Sequence, residues 1–413
     1  MSTLLGVLIV AAGGLVMGSG AWPFKLMRRY QFEQWWFVGM LVGLIVMPWT
    51  ITLAGCPHAL SSLANVPLKA ILLGNLFSIG WGIANVLCGL CYVRIGVALT
   101  GAILAGLGVS IGAITPMIFK GSGLFQSAPD LASPAGLAVC CAVAMMLSGV
   151  VLASLAGFGR DRQLQRLQET SGGFLTGLVM TAAAGVLSSF MAFAFVYSQG
   201  PIVANLSIVK PGSSITVTVE QRKDLSGEYA VALDGTIQPP GASPVAVAGA
   251  SAQEAARRIA GQTANSLGLT EPHVLVQTGS IPATFGVFAV GLLGGALVNL
   301  GYAGYLLTRN KSWGVLFQSG WELMLAVLIG VNFSLAVALM GKGMLLLGAL
   351  GASVGWGIQQ AMQMTGTQML GFASGEWRGV HGKPRQQMYL AIVILILAAA
   401  VMAYGNTLAK GSP

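Results

Sequence analysis

The sequence predicts an all-α polytopic membrane protein: ten transmembrane helices in two inverted five-helix halves, with a small α+β extracytoplasmic domain inserted between helices 6 and 7. Three observations predict it. The 413 residues are 55% hydrophobic and only 8% charged, with a mean hydropathy of +0.78, whereas soluble chains carry about 25% charged residues. Mostly apolar stretches of about 20 residues, the length that crosses a bilayer, recur along the chain. One polar region with a different rhythm interrupts them.

Ten apolar segments are read in order. Segments 1 to 5 are Leu4–Trp22, Trp35–Leu53, Ala70–Tyr92, Val97–Phe119 and Ala135–Phe158; segments 6 to 10 are Phe174–Tyr197, Phe285–Leu307, Leu316–Met340, Met344–Phe372 and Tyr389–Thr407. No Lys or Arg precedes Leu4–Val16, so segment 1 reads as a retained helix rather than a signal peptide. The 58 glycines suit helices that pack closely through small residues in lipid.

The connections sort by charge. Lys25, Arg28, Arg29, Arg94, Arg160, Arg162, Arg166, Arg309, Lys311, Arg378, Lys383 and Arg385 fall on one side, and Lys69, Lys120, Lys342 and Lys410 on the other. The positive-inside rule places the first group in the cytoplasm and both termini outside. Two five-segment halves then run in opposite orientations, as in transporters with inverted repeats. The basic residues are scattered among short loops, which excludes a nucleic-acid partner. The bilayer is the partner they imply.

Residues 200–281 form the polar insert, dividing the chain into 1–199, 200–281 and 282–413. Six acidic residues fall there: Glu220, Asp224, Glu228, Asp234, Glu254 and Glu271. Ile215, Val217 and Val219 alternate as a half-buried strand does, and Tyr229, Val231 and Leu233 repeat the pattern up to an Asp234-Gly235 turn. Ser251 and Glu254 have capping-box spacing, predicting a helix from Ala252 to about Leu267. Val274 and Val276 suggest a closing strand.

Two helix faces are candidates for substrate. Asn75, Ser78 and Asn85 share a face of segment 3, beside Trp81; Trp356, Gln360, Gln363 and Thr367 share a face of segment 9. A sugar takes amide and hydroxyl partners for its hydroxyls and a flat aromatic ring for its C–H face. The competing reading is hydrogen bonding between helices. Within the helices as bounded above, Glu322 is the acidic residue, and an intramembrane carboxylate is read as a proton site. His58 and His381 fall in loops. Cys88 and Cys91 sit in an apolar helix without a second pair, as packing residues. No H-E-x-x-H or G-x-x-x-x-G-K-[ST] string occurs, and an enzyme is disfavoured.

"WPFK" at Trp22–Lys25, "MPW" at Met47–Trp49, "GWGIANVLCGL" at Gly80–Leu90, "ITPMI" at Ile114–Ile118 and "SGEW" at Ser374–Trp377 resemble the bacterial L-rhamnose–proton symporters of the drug/metabolite transporter superfamily. The resemblance extends over residues 1–200 and 283–408. It implies uptake of a small sugar, L-rhamnose or a relative, across the bacterial inner membrane, with the proton as coupling ion and no other cofactor. "VKPGSSITVTV" at Val209–Val219, "DLSGEYAVALDGTI" at Asp224–Ile237, "VAVAGASAQEAARRI" at Val245–Ile259 and "HVLVQ" at His273–Gln277 resemble the polysaccharide biosynthesis/export domain. That implies a periplasmic insert with a glycan or envelope protein as partner, although Ser213 stands where that family has Asp. Two other classes stay open: an envelope polysaccharide-binding, assembly or sensing protein, and an exporter of a glycan precursor or metabolite.

Overall fold

The computed structural model describes residues 2–95, 97–119, 128–164, 174–219, 222–268, 272, 274–278 and 280–411. Lys120, Arg166, Glu220, Glu271 and His273 lie outside the described residues. Among those described, seven helices are long and apolar enough to cross a membrane: Thr3–Leu26, Phe32–Gly55, Leu68–Cys88, Pro134–Gln163, Leu175–Leu206, Gly320–Leu347 and Lys383–Ala409. The pair Ile281–Gly291 and Leu293–Arg309, bent by 60°, makes an eighth when counted as one span. Segments 4 and 9 are also helical, at Val97–Ile118 and Gly351–Ala373. Segment 9 falls short on hydropathy because Gln359, Gln360, Gln363, Thr365, Thr367 and Gln368 interrupt its apolar residues.

Local chemistry sets the helix ends and breaks. Ser133 accepts a hydrogen bond from Gly136 N and is followed by Pro134 at the first helical position. Ser319 accepts one from Glu322 N at the start of segment 8. Segment 2 relaxes into a π-helical turn at Val42–Val46, just before Pro48. Segment 7 does the same at Val287–Gly291 and then bends.

Segment 1 packs on segments 8 and 9, segment 3 on 6 and 7, segment 2 on 7 and 8, segment 4 on 5, 6 and 9, and segment 5 on 10. Small residues make the closest approaches. A methyl group on Gly14 or Gly18 would collide with the backbone of Gln359 or Gln363, so segment 1 fixes the position of segment 9. One core cluster contains Leu44, Phe195, Phe288 and Met340; a second contains Val139, Met146, Leu395 and Met402.

The loops assigned to one side by charge meet at one end of the bundle. Glu376 pairs with Lys25 and, at 3.2 Å, with Arg160, whose guanidinium also lies 5.4 Å from the Trp377 ring centroid. Gln163 Nε2 donates to His381 O at 3.1 Å. Segment 5 runs on to Gln163 and takes in Asp161, and segment 2 begins at Phe32 rather than Trp35, so the segment helices hold acidic residues besides Glu322, which corrects the sequence reading; the one in segment 2 is Glu33. It is buried, and its Oε1 accepts from Asn310 Nδ2 at 2.9 Å and Ser312 Oγ at 3.3 Å.

Residues 208–277 carry a small α+β unit. Strands β1 (Ser214–Val219), β2 (Gly227–Ala230) and β5 (Val274–Gln277) form an antiparallel sheet in the order β2-β1-β5; β3 (Thr236–Ile237) and β4 (Val245–Ala246) pair separately. The alternation of Ile215, Val217 and Val219 buries all three against Ala255 and Ile259 of the helix Ala252–Leu267. Ser251 accepts from Glu254 N at 3.1 Å, but the Glu254 carboxylate turns to Arg258, at 3.3 Å. The second strand stops at Ala230, not Leu233, and Leu233 is exposed. Asp234 instead holds the turn, accepting from Thr236 N and Oγ1 at 2.9 and 2.8 Å.

The unit is tied to the end of segment 6. Ile208 bridges Ser251; Ala252 N donates to Ser207 O at 2.8 Å, Val209 N to Ala250 O at 2.9 Å and Gly249 N to Val209 O at 2.9 Å.

Candidate functional site

A cavity of about 270 Å³ lies among segments 1, 2, 3, 4, 6, 8 and 9, just under the roughly 300–1,000 Å³ of typical small-molecule sites. None of the described residues that line it is charged. Its aromatic wall is Trp35 and Trp36 of segment 2, Trp81 of segment 3, Phe333 of segment 8 and Trp356 of segment 9. Trp81 and Phe333 stack at 6.3 Å between ring centroids. Its polar wall is Asn85, Ser188, Gln359, Gln360 and Gln363. Rings beside amides form the surface that an uncharged, polyhydroxylated ligand with one apolar face would fit.

Of the residues expected from sequence, the structure brings Trp81, Asn85, Trp356, Gln360 and Gln363 to this cavity. Asn85 Nδ2 donates to Asn299 Oδ1 at 3.3 Å, and Trp356 Nε1 to Gly108 O at 3.2 Å. The indole N–H is thus engaged, leaving the ring face for contact. Gln359 lies three residues after Trp356 and four before Gln363, so helical spacing offered it as well; the face read from sequence ran through its neighbour Gln360 instead. Trp36 was missed because segment 2 showed no polar face.

Asn75, Ser78 and Thr367, expected from sequence, are not among the residues that line the cavity. Segment 7 frees backbone groups where it bends, and in lipid these need partners. Asn75 supplies two: its Nδ2 donates to Val290 O at 2.7 Å, and its Oδ1 accepts from Gly294 N at 2.7 Å. Ser78 Oγ accepts from Gly295 N at 3.0 Å. Thr367 Oγ1 donates within 3.1 Å of Gly18 O and 3.0 Å of Gln363 O.

Glu322 also stands away from the cavity. It is 6% exposed, and its carboxylate accepts from the backbone N–H groups of Arg28 (3.1 Å), Arg29 (3.1 Å) and Tyr30 (2.8 Å). One carboxylate on segment 8 therefore clamps the connection between segments 1 and 2. Tyr30 donates its own hydroxyl to Leu316 O at 2.7 Å. Burial pushes the Tyr30 phenol up, and the nearby Glu322 carboxylate adds to the rise.

Two G-x-S-x-G strings occur, Gly108–Gly112 and Gly351–Gly355, both within helices. A nucleophile elbow needs a strand-to-helix turn. Ser110 Oγ instead donates to Gly106 O at 2.8 Å.

Comparison with known proteins finds two families along the chain. The L-rhamnose-proton symport protein family matches residues 2–209, and the polysaccharide biosynthesis/export protein family matches residues 204–278. The L-rhamnose-proton symporter of Yersinia pestis bv. Antiqua (strain Antiqua) is 27% identical over 191 residues, 46% of this chain and 54% of the relative. That of Yersinia pseudotuberculosis serotype O:3 (strain YPIII) is 26% identical over the same shares. The chain thus spans about half the length of the curated relatives it matches, and the resemblance at Ser374–Trp377 lies beyond the matched region. Since the symporter family match takes in half of the 413 residues, the chain belongs to the L-rhamnose–proton symport protein family.

Proposed function

We propose that the chain is a secondary transporter of the bacterial cytoplasmic membrane that takes up L-rhamnose or a related small neutral sugar together with protons. The observation that carries this reading is the uncharged cavity faced by tryptophan rings and glutamine amides; the activity named for the relatives supports it. A nucleotide sugar or sugar phosphate would bring charge into a wall whose described residues carry none to answer it. The protein is then a carrier and not an enzyme, with the proton as coupling ion.

The ten-helix, two-half architecture belongs to the same proposal, with residues 1–199 and 282–413 in the membrane and 200–281 outside it. The packing supports it: segment 1 meets 8 and 9 as segment 6 meets 3 and 4, and segment 2 meets 7 and 8 as segment 7 meets 2 and 3. That pattern survives a shift of five segments, as an inverted repeat requires. Segments 2 and 7 each carry a π-helical turn, and the two turns touch. The insert's match to a polysaccharide biosynthesis/export family supports a contact with glycan or an envelope protein at the outer face.

Among the described residues, none that lines the cavity carries a titratable group, so proton coupling is assigned to a carboxylate outside it. Glu322 is the residue proposed. Protonation would replace an anionic acceptor of three N–H groups with a neutral acid, loosening the link between segment 8 and residues 28–30. The deciding measurement is uptake of labelled L-rhamnose, other deoxyhexoses and hexoses into proteoliposomes, with and without an inward proton gradient. Gradient-driven accumulation of a neutral deoxy-sugar is expected. Accumulation of none of the panel, or efflux alone, removes the proposal.

A further inference from the structure

Gln359 is 2% exposed and borders the cavity. Its Nε2 donates to Gln363 Oε1 at 2.9 Å, while its Oε1 has no hydrogen-bond partner. A buried amide atom left unmatched is costly, whereas one matched by a ligand returns that cost as affinity. The residue cannot retreat from the position, because Gly14 and Gly18 press segment 1 against the backbone at Gln359 and Gln363. Other polar groups in the wall already have a hydrogen engaged: Asn85 Nδ2 on Asn299, Ser188 Oγ on Gly185 O and Trp356 Nε1 on Gly108 O. Gln359 combines full burial, a fixed backbone and an unspent amide atom.

We propose that Gln359 sets the hydroxyl selectivity of this cavity: its amide takes one ring hydroxyl of the bound sugar, and the site rejects an analogue that lacks it. A hydroxyl suits this position because it donates and accepts, and so matches either atom of the amide. The inference rests on the reading of the cavity as a sugar site. Its basis in binding is general: a site built to hydrogen-bond a hydroxyl rejects the analogue without it far better than an apolar pocket rejects a missing methylene.

The test is a cycle between residue and ligand in the full chain. Binding of L-rhamnose and its 2-, 3- and 4-deoxy derivatives is measured by competition in detergent-solubilised wild type and in Gln359→Met, both checked for monodispersity. One derivative is expected to lose roughly ten- to a hundredfold against L-rhamnose in wild type, and to lose little in Gln359→Met. The other derivatives should keep the same ratio to L-rhamnose in both proteins. If Gln359→Met is not recovered folded, Gln359→Asn withdraws the amide by one methylene and enters the same cycle. Identical ratios for every derivative in wild type and variant overturn the role of Gln359 while leaving the sugar cavity standing. Wild type that binds none of the sugars overturns both.

Discussion

At Asn75 and Asn85 the same side chain, on the same helix face, does different work. Asn75 answers backbone groups exposed by the bend of segment 7, while Asn85 reaches the cavity. Asn75→Leu should lower thermal stability by about 1–3 kcal/mol and leave apparent sugar affinity unchanged. Asn85→Leu should weaken affinity with a smaller loss of stability. Melting curves paired with binding titrations separate the two, and an affinity loss confined to Asn75→Leu would reverse the assignment. Glu322→Gln keeps the shape of the clamp but removes its charge and its titration. Proton-driven accumulation should disappear while sugar counterflow continues; undiminished uphill uptake would take Glu322 out of the coupling. The spacing of polar residues marked both helix faces, but spacing alone says nothing about which neighbour bends and needs help.

For the helices as elements, the approach of segment 1 to segment 9 is the sensitive contact. Gly14 and Gly18 lie four residues apart on one face and meet Gln359 and Gln363, also four apart. Gly18→Ala should cost about 1–3 kcal/mol through overpacking and displace the amides it supports. A melting temperature and sugar affinity matching wild type would show that segment 9 yields without consequence. Segment boundaries were read only approximately, since segment 8 runs to Leu347 rather than Met340 and segment 9 starts at Gly351 rather than Met344, while the helical type of the segments was legible because apolar length is a local signal. The π-helical turns and the 60° bend were not, since they depend on which helix supplies partners to the freed backbone.

Over the whole molecule, the insert and the bundle are joined by backbone hydrogen bonds at residues 207–209 and 249–252. On the proposed function, replacing residues 208–277 with a short Gly/Ser linker should leave a protein that still accumulates sugar but has lost whatever glycan or partner contact the insert makes. Loss of folded protein would show that the insert is needed to close the end of segment 6; retained fold without uptake would make it part of the transport cycle. The sequence by itself determined the polytopic membrane class and the family, because hydropathy and short motifs are written in neighbouring residues. Only the tertiary structure decided that Gln359 and Trp36 face the cavity, that Asn75 and Ser78 serve the bend of segment 7, and that Glu33 and Glu322 clamp loops. Those roles depend on contacts between residues more than two hundred positions apart in many cases, as between Asn75 and Val290, and a buried polar group is defined by the partner that three-dimensional packing brings to it.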